Sequence, residues 1–306
     1  AFLVVGGARA DTLTTLHSFC DVGCVMDGQT PSVLVMDQTG TLYGATSAGG
    51  KFSKGTLFEL VPNGDTWKYK VIHDFCAERR CRDGDTPSSL IVDSSGNLYG
   101  TTLFGGQASN GDPQGIVFEL KPNEAHTRWN LSTLYQFKFG TACDKGCNPN
   151  FLSYAGAQTG ALYDGISPLF GTTHSGGGNL NSGLVYELTP GKPWREKVIH
   201  RFCLQFDGTD CLDGDGPSGI VVDSNNTIFG VTSDGGLKKD KYAGTLFQLA
   251  STGQKKWTHT VLHYFCEETH CTDGANPGGL AVDSAGNLFG TAGGGPNCEP
   301  KQPCGG

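Results

Sequence analysis

Leu90-Ile91-Val92-Asp93-Ser94-Ser95-Gly96-Asn97-Leu98-Tyr99-Gly100-Thr101-Thr102 is a pair of short apolar runs around a Ser-Ser-Gly-Asn turn. β-Branched and aromatic residues on both sides of a Gly/Asn turn read as a β-hairpin, because those two residues tolerate the left-handed backbone that reverses the chain. An aspartate stands seven residues ahead of Gly44, Gly100, Gly171, Gly230 and Gly290, at Asp37, Asp93, Asp164, Asp223 and Asp283. Agreement at every position marks five copies of one repeat.

Each hairpin is followed by a glycine pair (Gly49-Gly50, Gly105-Gly106, Gly176-Gly177, Gly235-Gly236, loosely Gly294-Gly295) and a loop of variable content. A third β-rich run follows, Thr56-Leu57-Phe58-Glu59-Leu60 and its equivalents at 116–120, 184–188 and 245–249. A fourth ends in Val71-Ile72-His73-Asp74-Phe75, Val198-Ile199-His200-Arg201-Phe202 or Val261-Leu262-His263-Tyr264-Phe265. No stretch has the helical spacing of apolar residues. Four-stranded units in several copies are the sequence mark of a β-propeller, with a solenoid as the alternative.

The two ends of the sequence favour the propeller. Ala1-Phe2-Leu3-Val4-Val5 matches a third strand and Leu16-His17-Ser18-Phe19-Cys20 a fourth, while the last repeat holds strands one and two only. The expected fold is one all-β domain over 1–306, a five-bladed β-propeller of four-stranded blades. The blades fall at about 31–76, 87–139, 158–203, 217–266 and 277–294, the last completed by 1–20. Ala1, Phe2, Leu3, Val4 and Val5 form the closure strand, in cis or donated to another copy. Ala8-Arg9-Ala10 also reads as the end of a secretory signal, with Asp11 as the mature start; the strand reading keeps 1–10 in the fold.

Gly (47) and Pro (14) are abundant, yet 37% of residues are hydrophobic, which fits many short strands and tight turns around a real core. The 30 acidic and 22 basic residues are spread out, with no basic stripe to track a phosphate backbone, so nucleic acid is not an expected partner. No apolar run approaches the roughly 18 residues of a membrane-spanning helix. Twelve cysteines fall into close pairs: Cys20/Cys24, Cys76/Cys81, Cys143/Cys147, Cys203/Cys211, Cys266/Cys271 and Cys298/Cys304. None has C-x-x-C spacing, and local pairs at uneven spacing fit disulfides that close surface loops in an oxidising compartment.

Several motifs recur in order along nearly the whole chain: Gly55-Thr56-Leu57-Phe58-Glu59-Leu60, the Asp83-Gly84-Asp85-Thr86-Pro87 loop, and Gly96-Asn97-Leu98-Tyr99-Gly100-Thr101-Thr102 leading to Gly105-Gly106. Together they resemble the GloVer tandem repeat. The resemblance implies a propeller-like fold in secreted or surface bacterial proteins, and it implies no catalytic residue. The sequence departs from it in repeat three, where Cys147-Asn148-Pro149 and an insertion through Gln158 replace the Asp-Gly-x-x-Pro loop.

Chemistry is sparse. His17, His73, His200 and His263 share one strand position, with Tyr135 in the remaining repeat. That strand is the outermost of its blade, too far from the axis for the imidazoles to converge on a metal, so packing or inter-blade hydrogen bonding is the preferred reading. Asp83, Asp85, Asp213 and Asp215 are weak calcium candidates, since Asp-x-Asp beside carbonyls suits a hard cation. Asp-Gly before Pro is equally an ordinary turn whose carboxylate caps backbone N–H groups. There is no G-x-S-x-G elbow, H-E-x-x-H or P-loop, so no catalytic or cofactor-binding residue is assigned and no cofactor is expected. A carboxylate pair for glycoside cleavage would be distant in sequence and stays open.

The expected function is a non-catalytic, secreted or cell-surface scaffold, in its sharper form a self-assembling subunit of an extracellular fibre or surface layer. Its partners are then copies of itself or extracellular polysaccharide. The alternatives are a glycan-binding propeller, using Trp, Tyr and the variable loops, and a propeller hydrolase or lyase acting on polysaccharide.

Overall fold

In the second hairpin, Asp93 Oδ1 accepts hydrogen bonds from the N–H groups of Ser95 and Asn97 at 2.8 Å each. Asp37, Asp223 and Asp283 hold the N–H groups two and four residues on in the same way. A carboxylate that satisfies two turn N–H groups fixes where the chain reverses, and so fixes the register of the strands on either side. The computed structural model describes residues 14–20, 23–107, 113–138, 143–178, 180–237, 243–253, 256–268, 271–283 and 285–293.

Four antiparallel sheets of four strands follow one another along the chain. The first is β1 (Gln29–Met36), β2 (Leu42–Ala48), β3 (Thr56–Asn63) and β4 (Thr66–Asp74); the second is β5 (Asp85–Val92), β6 (Leu98–Phe104), β7 (Pro113–Pro122) and β8 (Trp129–Lys138). The third is β9 (Cys147–Tyr154), β10 (Leu169–Ser175), β11 (Leu184–Thr189) and β12 (Arg195–Arg201); the fourth is β13 (Asp215–Val222), β14 (Ile228–Asp234), β15 (Thr245–Ser251) and β16 (Trp257–Tyr264). A fifth sheet has two strands, β17 (Ala275–Val282) and β18 (Leu288–Gly293). Consecutive sheets meet along their first two strands, β1 and β2 on β5, β5 and β6 on β9, β9 and β10 on β13, β13 and β14 on β17. First strands therefore lie innermost and fourth strands outermost.

The core sits between sheets. Tyr43, Ala45, Leu57 and Phe75 of the first sheet pack on Leu90, Val92, Leu98, Ile116, Phe118 and Leu120 of the second. The next two junctions repeat this with equivalent positions, such as Tyr99 and Phe137 against Leu169 and Tyr186, then Phe170 and Phe202 against Ile228 and Phe247. One aromatic on each third strand lies over the glycine of its second strand: Phe58 over Gly44, Phe118 over Gly100, Tyr186 over Gly171, Phe247 over Gly230. A Cβ on any of these glycines would overlap the ring, which is why the repeat keeps glycine there. The same ring meets a phenylalanine from the segment that leads into its sheet, with centroids 5.2 Å apart for Phe19/Phe58, 5.5 Å for Phe75/Phe118, 5.2 Å for Phe137/Tyr186 and 5.0 Å for Phe202/Phe247.

One expectation is corrected. The third blade does not begin near 158: its first strand is β9, which pairs with β10 in the register the other blades use. The insertion lengthens the turn between those strands instead. Its Tyr163 is buried beside Tyr99 and hydrogen-bonds through its backbone to Val92 and Ser94, so the extra residues pack onto the second sheet. Asp164 still caps its turn, through the N–H groups of Ile166 and Ser167. The last sheet, expected to gain its outer strands from 1–20, has two strands among the described residues. Residues 14–20 carry no strand, and Ala1 to Val5 lie outside the described residues.

Candidate functional site at the sheet junctions

Every junction carries a loop closed by two cysteines: Cys20–Cys24, Cys76–Cys81, Cys143–Cys147, Cys203–Cys211 and Cys266–Cys271 are disulfides. The expected Cys298–Cys304 pair lies outside the described residues. The first cysteine of each loop has a left-handed backbone, with φ of 70°, 64°, 53°, 62° and 60° for Cys20, Cys76, Cys143, Cys203 and Cys266. Cysteine takes that conformation at a cost, so the surroundings must impose it.

Part of what imposes it is a buried aspartate. Asp83 accepts hydrogen bonds from the N–H groups of Ala77 and Glu78, and Asp213 from those of Leu204 and Gln205. Asp27 accepts from Cys20 N–H, and Asp273 from Glu267 and Glu268 N–H. The repeat histidine of the preceding strand then approaches the same carboxylate. Nε2 to Oδ2 is 3.3 Å for His17/Asp27, 3.2 Å for His73/Asp83, 3.6 Å for His200/Asp213 and 3.6 Å for His263/Asp273. Burial would raise the Asp83 carboxyl, but the His73 imidazole and the Glu78 N–H outweigh it and hold the group below the usual carboxylate range. Asp213 is lowered in the same way, against its own burial, by His200 and the loop N–H groups.

A side chain from the fourth strand of the next sheet covers the clasp. Tyr69 stacks on His17 with centroids 3.8 Å apart and planes 3° apart, and its hydroxyl donates to the Asp27 carbonyl. His259 stacks on His200 at 4.2 Å and 1°. Burial, aided by His200, pushes His259 down to about 4, so it is neutral at physiological pH.

The junction between the second and third sheets departs from the pattern. Tyr135 replaces the histidine, and Lys145 stands at the position of Asp83, immediately before the loop glycine. The covering position is Glu196, buried, with Lys145 Nζ 3.2 Å away and the Tyr135 hydroxyl donating at 3.4 Å. Burial raises Glu196 above the usual carboxylate range against the pull of Lys145. The carboxylate has moved from the loop to the neighbouring strand and the basic partner has moved the other way. No motif search finds this exchange, because its two members meet only across a junction.

The calcium candidates are placed separately. Asp83 and Asp213 belong to clasps, while Asp85 lies 2.6 Å from Lys54 Nζ and bonds the Thr86 hydroxyl. Asp215 is raised by burial despite a hydrogen bond from Ser182, and the nearby Asp234 carboxylate, from the paired strand β14, adds to the rise. Among the described residues no group of three or more His, Cys, Asp and Glu side chains could hold a metal ion. Trp129, Trp194 and Trp257 pack against the inter-sheet cores instead of forming an open sugar platform. No described helix is long and apolar enough to cross a membrane.

These clasps, sockets and loops are one structural repeat, and a sequence-family model, the Gloeobacter/Verrucomicrobia repeat, matches residues 7–167, more than half of the chain. The chain belongs to the Gloeobacter/Verrucomicrobia repeat family. No curated protein matches this family member. Among solved structures, a luciferin-regenerating enzyme matches it with TM-score 0.52 and 13% identity, over 88% of this chain and 71% of that one. A PQQ-bound aldose sugar dehydrogenase from Streptomyces coelicolor matches with TM-score 0.49 and 13% identity, over 88% and 76%. The first likeness extends to the fold alone: the repeat family member has a propeller-like, all-β architecture of antiparallel four-stranded sheets.

Proposed function

We propose that this protein is a non-catalytic, secreted or cell-surface scaffold that assembles with copies of itself. The observation that carries the reading is where its reactive side chains are spent. His17, His73 and His200 are largely covered and lie against aspartates already committed to loop N–H groups, at the outer edge of their junctions. Their geometry sets loop conformation and sheet spacing, and none of them lines an enclosed cleft. Five disulfides among the described residues suit an oxidising, extracellular setting.

In this reading the sheets are the blades of a five-bladed propeller, and the last blade takes its two outer strands from the N-terminal segment of the same copy or of another. Light scattering with negative-stain electron microscopy on the purified chain tests it. Polymers that grow with concentration are the expected result; compact monomers near 32.2 kDa at every concentration would contradict self-assembly.

A further inference from the structure

Among the described residues the series of junctions has two unmatched ends, and they complement each other. At each internal junction the loop proline of one sheet is buried against the glycine that opens the third strand of the sheet before it: Pro87 at Gly55, Pro149 at Gly115, Pro217 at Gly183, Pro277 at Gly244. Pro31 of the first sheet is exposed. Leu34 and Met36 occupy the positions of Leu90 and Val92, yet they are 53% and 59% exposed where the latter are each 3%. Leu34, Pro31, Leu16, His17 and Phe19 border an open apolar depression of about 320 Å³ that Phe58 and Leu60 also line.

The other end lacks what this one offers. Phe289 stands at the position of Tyr43 and Tyr99, and is 59% exposed against 2% for each of those. Gly290 has the strand-two glycine's place, but among the described residues no ring lies over it; its nearest neighbours to a built Cβ are the Gly279 carbonyl at 3.1 Å and Leu280 at 3.6 Å. Phe265, the equivalent of Phe75, has no third-strand ring to meet among the described residues, and His263 is the most exposed of the clasp histidines. The outer edge of β18 is unpaired among the described strands. Residues 14–20 already sit on the first sheet as a fourth strand's end sits on the sheet after it, through Phe19/Phe58, His17/Asp27 and the Cys20–Cys24 loop.

We infer that the trailing surface of the last sheet, Phe289, Gly290 and the edge of β18, receives the leading surface of a second copy, Pro31, Leu34, Met36 and the segment 14–20. This deepens the proposed self-assembly and rests on it. The operation that carries one sheet onto the next inside the chain then carries one molecule onto the next. Because the two surfaces differ, the contact is heterologous and leaves a free end of each kind on every oligomer, which makes a filament unless the rotation closes a ring. The second copy covers the open edge of β18, with an apolar side chain seated over Gly290 for specificity.

Two blocked variants test the pairing. Met36→Glu disables the leading surface and Phe289→Glu the trailing one; both side chains are exposed, so circular dichroism should match the wild type. Each variant alone should stop at monomers, and an equimolar mixture should give dimers, formed from one intact surface of each kind. Polymers from either variant alone would overturn these surfaces while leaving self-assembly standing. A wild type that is monomeric at every concentration would remove the proposed function and this inference together, and monomers in the mixture beside a polymerising wild type would overturn the inference alone.

Discussion

Lys145 Nζ lies 3.2 Å from Glu196 Oε2 at the junction where every other described clasp sets a histidine against a loop aspartate. The exchange keeps one carboxylate and one basic group in the same few ångströms while reversing which element supplies each. The requirement at a junction is therefore a paired charge under cover, since leaving a buried carboxylate unpaired costs more than the pair contributes.

Lys145→Asp should destabilise the protein by about 2–3 kcal/mol, because it places a second carboxylate beside buried Glu196 in place of its cation. The triple variant Tyr135→His, Lys145→Asp, Glu196→Tyr rebuilds the set found at His17, Asp27 and Tyr69, and should recover most of the loss. Urea denaturation of the single and triple variants checks this; a triple variant no more stable than the single one would contradict the exchange.

The glycine sockets predict opposite outcomes for one substitution. Gly100→Ala pushes a methyl into the Phe118 ring and the Ser89 carbonyl, a cost of about 3 kcal/mol for an overpacked core. Gly290→Ala meets nothing nearer than 3.1 Å, so the change in stability should stay under about 1 kcal/mol, as for ordinary surface substitutions. It should nevertheless weaken assembly, because it occupies the seat of an incoming side chain. Thermal melts and light scattering on both variants separate the two effects.

Acid should act through His259 before it acts through the aspartates. Burial holds it at about 4 in the folded protein, below the ordinary imidazole value of 6.5. The unfolded chain therefore takes up the proton first, and stability is lost as pH falls from about 6.5 towards about 4. After discounting for its partial exposure, the loss is about 2 kcal/mol. His259→Tyr, the residue found at position 69, should flatten that limb of the stability curve. Asp83 and Asp213 are lowered when folded, so their stabilisation is present at neutral pH and lost only at lower pH, as they protonate. A wild type and His259→Tyr with parallel curves between pH 7 and pH 4 would contradict the assignment.

Reduction of the disulfides should loosen loops without melting sheets. Each bridge spans only four to eight residues, which by loop entropy is worth about 2 kcal/mol. A mild reductant should lower the melting temperature in steps while the β signal in circular dichroism persists at 25 °C.

Much of this architecture is readable in the sequence, for physical reasons that differ by element. The Asp93 to Asn97 turn is local, so composition alone places the hairpin, and five of the short-range cysteine pairs are the described disulfides. The third blade's start is misread because Asp164 looks like the other turn aspartates, while the real first strand lies ahead of the insertion that Tyr163 anchors. Asp85 resembles a calcium ligand until Lys54, from the sheet before, is seen at 2.6 Å. The Lys145–Glu196 exchange and the unmatched Phe289 and Leu34 depend on which residues face each other across a junction. Spacing along one chain does not carry that.

Hydrogen exchange at β18 is the most direct test of the central claim, that the last sheet is an acceptor for another copy. The amides of Leu288 to Gly293 that point away from β17 should exchange quickly in the monomeric Met36→Glu variant and become strongly protected in wild-type assemblies. Equal protection in both states would mean that the edge is covered within a single molecule, and head-to-tail assembly through it would be wrong.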